Sequence, residues 1–374
     1  MEKIRIAMLG GGIGSMIGAS HRDALMLSGQ YELVAACFSA NEERNKETAQ
    51  NVRFSPRLYT HWQDLITQEA QREDGARAVI IVTPDHLHFE MCRFALEHKI
   101  HVICDKPLCE NDGQAQILID LAIKNQKRLE VTYTVSGDPT YRAMKEYISQ
   151  PDFGAIYQIS GKLIADWGRG LPELDSNHKM HKQAWRFKKD VGTGALGDVA
   201  VHIFEYCRQL VNDAPISLTG SMQKIYDERE LSDGGQILLQ YPDNLLMNIR
   251  YSLSLTDVNH YQITINGINK AVEYHVFEDD FWVIDENHER HQIKIDAIPN
   301  FEPFTEFCED SHNMTQEQFN GRYRFKNLYD DFAENIRENK LYTPRDVQQH
   351  AGLCGIKMTS KMLKAAQNKQ WVDW

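Results

Sequence analysis

The sequence predicts an α/β protein: a doubly wound parallel sheet over residues 1–133, then an α+β domain over 134–374 with a large, open, mainly antiparallel sheet. Three observations predict it. Short, nearly continuous apolar runs alternate with amphipathic segments up to about residue 134, as expected for parallel strands covered on both faces by helices. A glycine-rich turn, Gly10-Gly11-Gly12-Ile13-Gly14, joins the first apolar run to the first helical stretch, which is where a Rossmann domain receives a dinucleotide. Beyond residue 137 strand-like runs follow one another with turn signals between them, the pattern of antiparallel strands.

Taken in order, Lys3 to Leu9 is a β-branched and apolar strand, Ser15 to Gly29 has helical spacing, Tyr31 to Phe38 is a strand and Asn41 to Asn51 a charged helix. Helices at 62–70, 89–98 and 113–124 then alternate with strands at 78–82, 101–104 and 129–134. In the second part, Thr140 to Ser149 reads as a helix closed by Gln150-Pro151-Asp152, and Ala155 to Ile164 as a strand. The polar stretch from Asp166 to Lys189 is too long for a connector and is a candidate functional loop. A short helix at 198–210 precedes strands at 236–241, 245–253, 261–266, 271–277, 281–284 and 292–295. Helices at 327–339 and 344–366 close the chain, Pro344 sitting well at a first helical turn.

Composition removes several classes of function. Lys plus Arg number 41 against 53 Asp plus Glu, a net charge of −12, so the field opposes nucleic acid, which needs a basic stripe. With 42% hydrophobic and 25% charged residues the chain has the ordinary globular mix. No apolar stretch approaches a bilayer span, and the start runs straight into a strand rather than a signal peptide, so a soluble cytoplasmic protein is expected. The 7 cysteines are scattered without a CxxC pair and suit a reducing compartment; Cys104 is expected to be a buried strand cysteine. No cluster has metal-ligand spacing, and His86 and His88 are expected to make polar loop contacts, so no metal is expected.

Five segments carry chemistry. Gly10 and Gly12 fit the first two places of G-x-G-x-x-G, while Ser15 holds the third, with Gly14 and Gly18 to either side. Where an acid often holds the ribose, this chain has Cys37-Phe38-Ser39, with Arg44 five residues on, which leaves NAD and NADP both open. Val82-Thr83-Pro84-Asp85-His86 and Cys104-Asp105-Lys106-Pro107 end two further strands, on the side where open α/β sheets bind ligands. There the Lys106 ammonium suits a developing alkoxide beside a nicotinamide. In Gly197-Asp198-Val199-Ala200-Val201-His202, Asp198 and His202 are four apart and share a helix face; histidine can accept a hydroxyl proton at neutral pH.

Together, the glycine cluster, Thr83-Pro84-Asp85-His86, Asp105-Lys106-Pro107, Trp185-Arg186 and Gly197 to His202 resemble the Gfo/Idh/MocA family of NAD(P)-dependent sugar and polyol oxidoreductases over essentially the whole chain. The run with Ile17-Gly18 and His21-Arg22, together with Ile103 to Pro107, is similar to a subgroup acting on glycosides, their keto forms and inositol-like polyols. The resemblance implies Gly10, Gly12, Ile13, Gly14, Ser39, Arg44, Thr83, Pro84, His86, Asp105 and Lys106 as cofactor contacts. It implies Lys106 bridging nicotinamide and reacting hydroxyl, His202 transferring the proton and Asp198 orienting the substrate, with Tyr133, Trp167, Trp185 and Arg186 in a sugar pocket. Where the subgroup often has a His-Pro-Glu-Gly-like stretch this chain reads Asn320-Gly321-Arg322-Tyr323-Arg324, and Arg322 or Arg324 would suit an acidic or phosphorylated sugar. The expected activity is hydride transfer between NAD or NADP and a ring carbinol or keto group, in a homo-oligomer, dimer or tetramer, that pairs through the outer face of the second sheet. Two other readings stay open: a redox-neutral, NAD-using glycoside hydrolase or lyase, and a catalytically silent cofactor sensor.

Overall fold

A computed structural model describes residues 2–15, 17–166, 168–169, 187–189, 193–257, 261–309, 311–340 and 342–374. The first elements are β1 (Ile4–Gly10), α1 (Gly18–Ser28), β2 (Tyr31–Cys37), α2 (Glu42–Asn51), β3 (Arg57–Leu58), α3 (Trp62–Gln71), β4 (Ala78–Val82), α4 (His88–Glu97), β5 (His101–Cys104), α5 (Asp112–Lys124) and β6 (Leu129–Val131). Then come α6 (Pro139–Ile148), β7 (Ile156–Ile164), α7 (Val201–Arg208), β8 (Ser217–Gln223), β9 (Gly234–Gln240), β10 (Leu246–Ser252), β11 (Tyr261–Gly267), β12 (Ala271–His275), β13 (Asp280–Ile284) and β14 (Arg290–Lys294). The chain ends with α8 (Gln316–Arg337), α9 (Pro344–Gln348), α10 (Ala351–Asn368) and β15 (Val372–Asp373). Two compact units result: Met1–Asp138 with Ile298–Ile356, and Pro139–Ala297 with Lys357–Trp374.

The first unit holds a six-stranded parallel sheet in the order β3-β2-β1-β4-β5-β6, the doubly wound order whose reversal lies between β1 and β4. All five residues of β4 and all four of β5 are buried, which explains their unbroken apolar reading. Cys104 is fully buried, and burial pushes its thiol well above the ordinary range. Helix α8 supplies Phe325, Tyr329 and Phe332 to the core that Ile6, Met8, Leu33 and Ile80 build under the sheet.

Helix α8 starts eleven residues before the expected Asn327, at a capping box in which Thr315 and Gln318 satisfy each other's backbone N–H groups. The stretch Asn320 to Arg324 is therefore helical. Arg324, 1% exposed, spends its Nε on Asp138 at 3.1 Å, and Arg322 faces Asp23 at 3.1 Å. Both arginines have internal carboxylates, which corrects their assignment to an anionic sugar.

In the second unit the order is β14-β13-β12-β11-β7-β10-β9-β8-β15. The pairs are antiparallel except β7 with β10, which run parallel. That exception follows from α7, which lies between β7 and β8 in the chain and packs back on β7. A Cβ on Gly161 would lie 2.5 Å from Cys207 Sγ and 2.7 Å from Ile203 Cγ1, so glycine there admits the helix. Among the described residues, no helix is long and apolar enough to cross a membrane.

Two buried histidines of the first unit set its acid stability. Burial lowers His21 to about 4 and His101 to about 3; His101 Nδ1 already accepts the Arg128 N–H at 3.0 Å, leaving no room for a second ring proton there. The unfolded chain binds those protons first, so stability falls as pH drops below about 6.5, by on the order of 3 kcal/mol for His21 alone once pH reaches 4. Asp23, raised by burial to about 7, offsets part of this over the same range. Urea denaturation at pH 7 and pH 5 should show the lower stability at pH 5.

Candidate active site

The glycine turn is shaped by close approaches that no side chain would allow. Gly10 ends β1 at φ 77°, and a Cβ there would lie 2.3 Å from Val82 O and 2.8 Å from Thr83 Cγ2. The third glycine function belongs to Gly18, at the start of α1. Its Cβ would meet Gly11 O at 2.3 Å, so Gly18, rather than Ser15, allows the helix to seat against the turn. Ser15 Oγ instead accepts the Gly18 N–H at 3.2 Å.

Backbone donors of the turn fall into two alternating sets. Gly11 N–H donates to Val82 O at 3.0 Å and Ile13 N–H to Thr48 Oγ1 at 3.1 Å. Among the described residues, the N–H groups of Gly12 and Gly14 have no protein acceptor. Such donors, ahead of a helix N-terminus, fit a pyrophosphate. Arg44, exposed on α2, donates from Nε to Ile13 O at 3.0 Å and so braces the turn. Ser39 is half-buried and its Oγ accepts the Asn41 N–H at 3.1 Å, at the start of α2.

The ends of β4 and β5 lie side by side, Ile81 pairing with Cys104 and Asp105 N–H donating to Ile81 O at 2.9 Å. Asp105 Oδ1 accepts both the Lys106 N–H at 2.9 Å and the Thr132 hydroxyl at 2.7 Å, and the Lys106–Pro107 peptide is cis. His88 is buried and its ring nitrogens lie 2.7 Å from Pro107 O and 2.9 Å from Thr83 O, so it ties the two strand ends together. Pro84 and His86 are exposed at the same turn. Thus Gly10, Thr83, Asp105 and Lys106 gather at one edge of the sheet. Sequence reasoning gave His88 only a loop contact and overlooked Thr48. The signal for Thr48 was its place four residues after Arg44 on a helix with few buried positions.

Tyr133 is 3% exposed, and its hydroxyl lies 2.7 Å from where a Cβ of Gly355 would stand on α10. Trp167, Trp185 and Arg186 fall outside the described residues, as does most of the predicted loop from Asp166 to Lys189.

In the second unit, the segment expected to be one helix begins as a π turn, Leu196–Ala200, running into α7. Wide turns of this kind often mark functional positions. From Gly194 to Arg208 each residue is buried except Asp198 and His202, which are half-buried.

Residues 4–133 match the oxidoreductase family model for an NAD-binding Rossmann fold, and residues 141–273 match the GFO/IDH/MocA C-terminal domain. The chain belongs to the GFO/IDH/MocA oxidoreductase family. It is 26% identical over 392 residues to the uncharacterized oxidoreductase YfiI of Bacillus subtilis strain 168, covering 100% of this chain and 97% of that one. It is 28% identical over 244 residues to levoglucosan dehydrogenase of Pseudarthrobacter phenanthrenivorans, covering 63% of this chain and 58% of that one. An inositol dehydrogenase homolog from Azotobacter vinelandii, solved with NAD+, shares the fold at a TM-score of 0.82 and 24% identity, covering 100% of this chain and 98% of that one. The model that matches residues 4–133 is the NAD-binding one, in agreement with the glycine turn.

Proposed function

We propose that this GFO/IDH/MocA protein is an NAD-dependent dehydrogenase or reductase that acts on a ring carbinol or keto group of a sugar, glycoside or cyclic polyol. The observation that carries the reading is the exposure pattern of residues 194–208, which leaves only Asp198 and His202 accessible in a buried segment. Relatives named for levoglucosan and scyllo-inositol favour a polyhydroxylated ring.

When bound, NAD supplies the hydride acceptor, or in reduced form the donor. Gly12 and Gly14 hold its pyrophosphate through their N–H groups. Lys106 donates a hydrogen bond to the reacting oxygen and stabilises the negative charge that builds there. His202 takes the hydroxyl proton in oxidation and returns it in reduction, and Asp198 orients the substrate hydroxyl beside it.

NAD is favoured over NADP. The Arg44 guanidinium is engaged with Ile13 O, and Glu43 and Glu47 line the same open cavity, of about 580 Å³, beside it. A ribose 2′-phosphate would add about two negative charges next to those carboxylates. We expect kcat/KM for NAD+ to exceed that for NADP+ by about tenfold or more, a difference of about 1.4 kcal/mol. The test is absorbance at 340 nm with each cofactor against levoglucosan, myo-inositol and glucose, and in reverse with their keto forms. Reduction of NAD+ by at least one supports the proposal; a protein that binds NADH yet gives no absorbance change with any of them overturns it.

A further inference from the structure

Beneath the glycine turn lies a group of charged side chains that the proposed chemistry does not use: Arg22 and Asp23 on α1, Glu309 shortly before α8, and Arg322 on α8. Arg22 is 4% exposed. A guanidinium that deep is tolerated only with its donors satisfied. Nε and Nη2 donate to the two carboxylate oxygens of Glu309 at 2.6 and 2.7 Å, and Nη1 donates to the carbonyl of Gly11. Glu309 is itself held, its N–H donating to Asp23 Oδ1 at 2.7 Å, while Arg322 Nε lies 3.1 Å from the other Asp23 oxygen. The forked pairing fixes the guanidinium plane, and with it the direction of the remaining donor.

The carbonyl that Arg22 grips belongs to the peptide whose N–H is that of Gly12. A trans peptide is planar, so its C=O and N–H point in opposite directions. Turning Gly11 O inward to Arg22 therefore turns Gly12 N–H outward. Gly11 sits at φ 68° and Gly12 has no Cβ, so local sterics alone do little to prevent this peptide from flipping. Neighbouring peptides have other restraints, since Gly11 N–H is bound by Val82 O and Ile13 N–H by Thr48 Oγ1. The Gly11–Gly12 unit has Arg22.

We infer that Arg22, locked by Glu309, is a positioning residue for the dinucleotide: it sets the Gly11–Gly12 peptide so that Gly12 N–H is presented to the pyrophosphate. The inference rests on the dinucleotide reading of the glycine turn and is independent of Lys106 and His202. A merely structural ion pair would account for the burial of Arg22 and Glu309, but not for selective loss of phosphate-bearing ligands.

The experiment measures binding by the full-length protein, with NADH followed by its fluorescence and with ADP-ribose and adenosine as competitors. The variants are Glu309→Gln and the double variant Arg22→Met/Glu309→Gln, which removes both charges and strands neither. In the double variant the Kd for NADH and for ADP-ribose should rise about tenfold or more, the scale of one hydrogen bond to a charged group. Adenosine, which carries no phosphate, should shift by less than about twofold, and Glu309→Gln alone should give a smaller loss with the same selectivity. An unchanged NADH Kd in the folded double variant, or equal losses for adenosine and ADP-ribose, would overturn the inference. If the double variant does not fold, Glu309→Gln decides by the same comparison. Binding rather than turnover is read, so a failure of the proposed sugar chemistry is seen separately; a parent protein that binds neither NADH nor ADP-ribose overturns this inference and the dinucleotide reading together.

Discussion

Replacing Lys106 by methionine is expected to lower kcat by about 10² to 10³, the range for removing one preorganised donor at a developing oxyanion, while NADH binding changes by less than about threefold. The split follows from where the residue stands. Its backbone is set by Asp105, which accepts the Lys106 N–H at 2.9 Å and is itself held by Thr132 at 2.7 Å, and by His88, which binds the carbonyl of Pro107 at 2.7 Å. These contacts are made by backbone groups and by the Asp105, Thr132 and His88 side chains, and methionine leaves them in place. In the proposed reading the pyrophosphate would be held by Gly12 and Gly14, on a different turn. Steady-state rates and NADH titrations on the same preparation check both halves of the expectation. Turnover equal to the parent's in a folded variant would remove Lys106 from the chemistry, and a loss of NADH binding in proportion to the loss of rate would make it a cofactor contact only.

The first sheet was legible because its strands are buried on both faces and so read as unbroken apolar runs, and because the glycine turn marks the crossing from β1 to α1. What stayed hidden depends on contacts between distant residues. The turn is three residues longer than the common spacing, so its third glycine function falls at Gly18, and only the 2.3 Å approach to Gly11 O identifies it. Strand β8 contains Thr219-Gly220-Ser221 and lacks apolar alternation; pairing with β9 makes it a strand. The helix expected from Asn327 starts at Gln316, where a capping box at Thr315 and Gln318 marks the true start, and a Cβ on Gly321 would meet nothing within 4 Å. The same shift moved Arg324 from a sugar contact to an internal pair with Asp138. Their spacing of four singled out Asp198 and His202, and both are half-buried in an otherwise buried segment. His88 and Arg22 were not legible, because their roles lie in carbonyls, at Thr83, Pro107 and Gly11, that sequence does not connect to them.

His202 is the second residue whose loss should be large. Converting it to alanine removes the proposed proton acceptor, and the expected fall in kcat is about 10² to 10⁴, the contribution of a positioned general base. Packing alone would not produce that. His202 is half-buried between Val201 and Ile203, both buried, and Ile203 and Cys207 pack against Gly161 of β7, so the helix should survive the truncation. Added imidazole distinguishes a lost proton acceptor from a disturbed helix: it should restore part of the turnover to His202→Ala and none to Lys106→Met. Asp198→Asn keeps the size and hydrogen-bonding capacity of the side chain but loses its charge, and an orienting role predicts a loss of about tenfold, smaller than that of His202→Ala. A larger loss in Asp198→Asn than in His202→Ala, with no response of the latter to imidazole, would transfer the proton to the carboxylate and reverse the two roles.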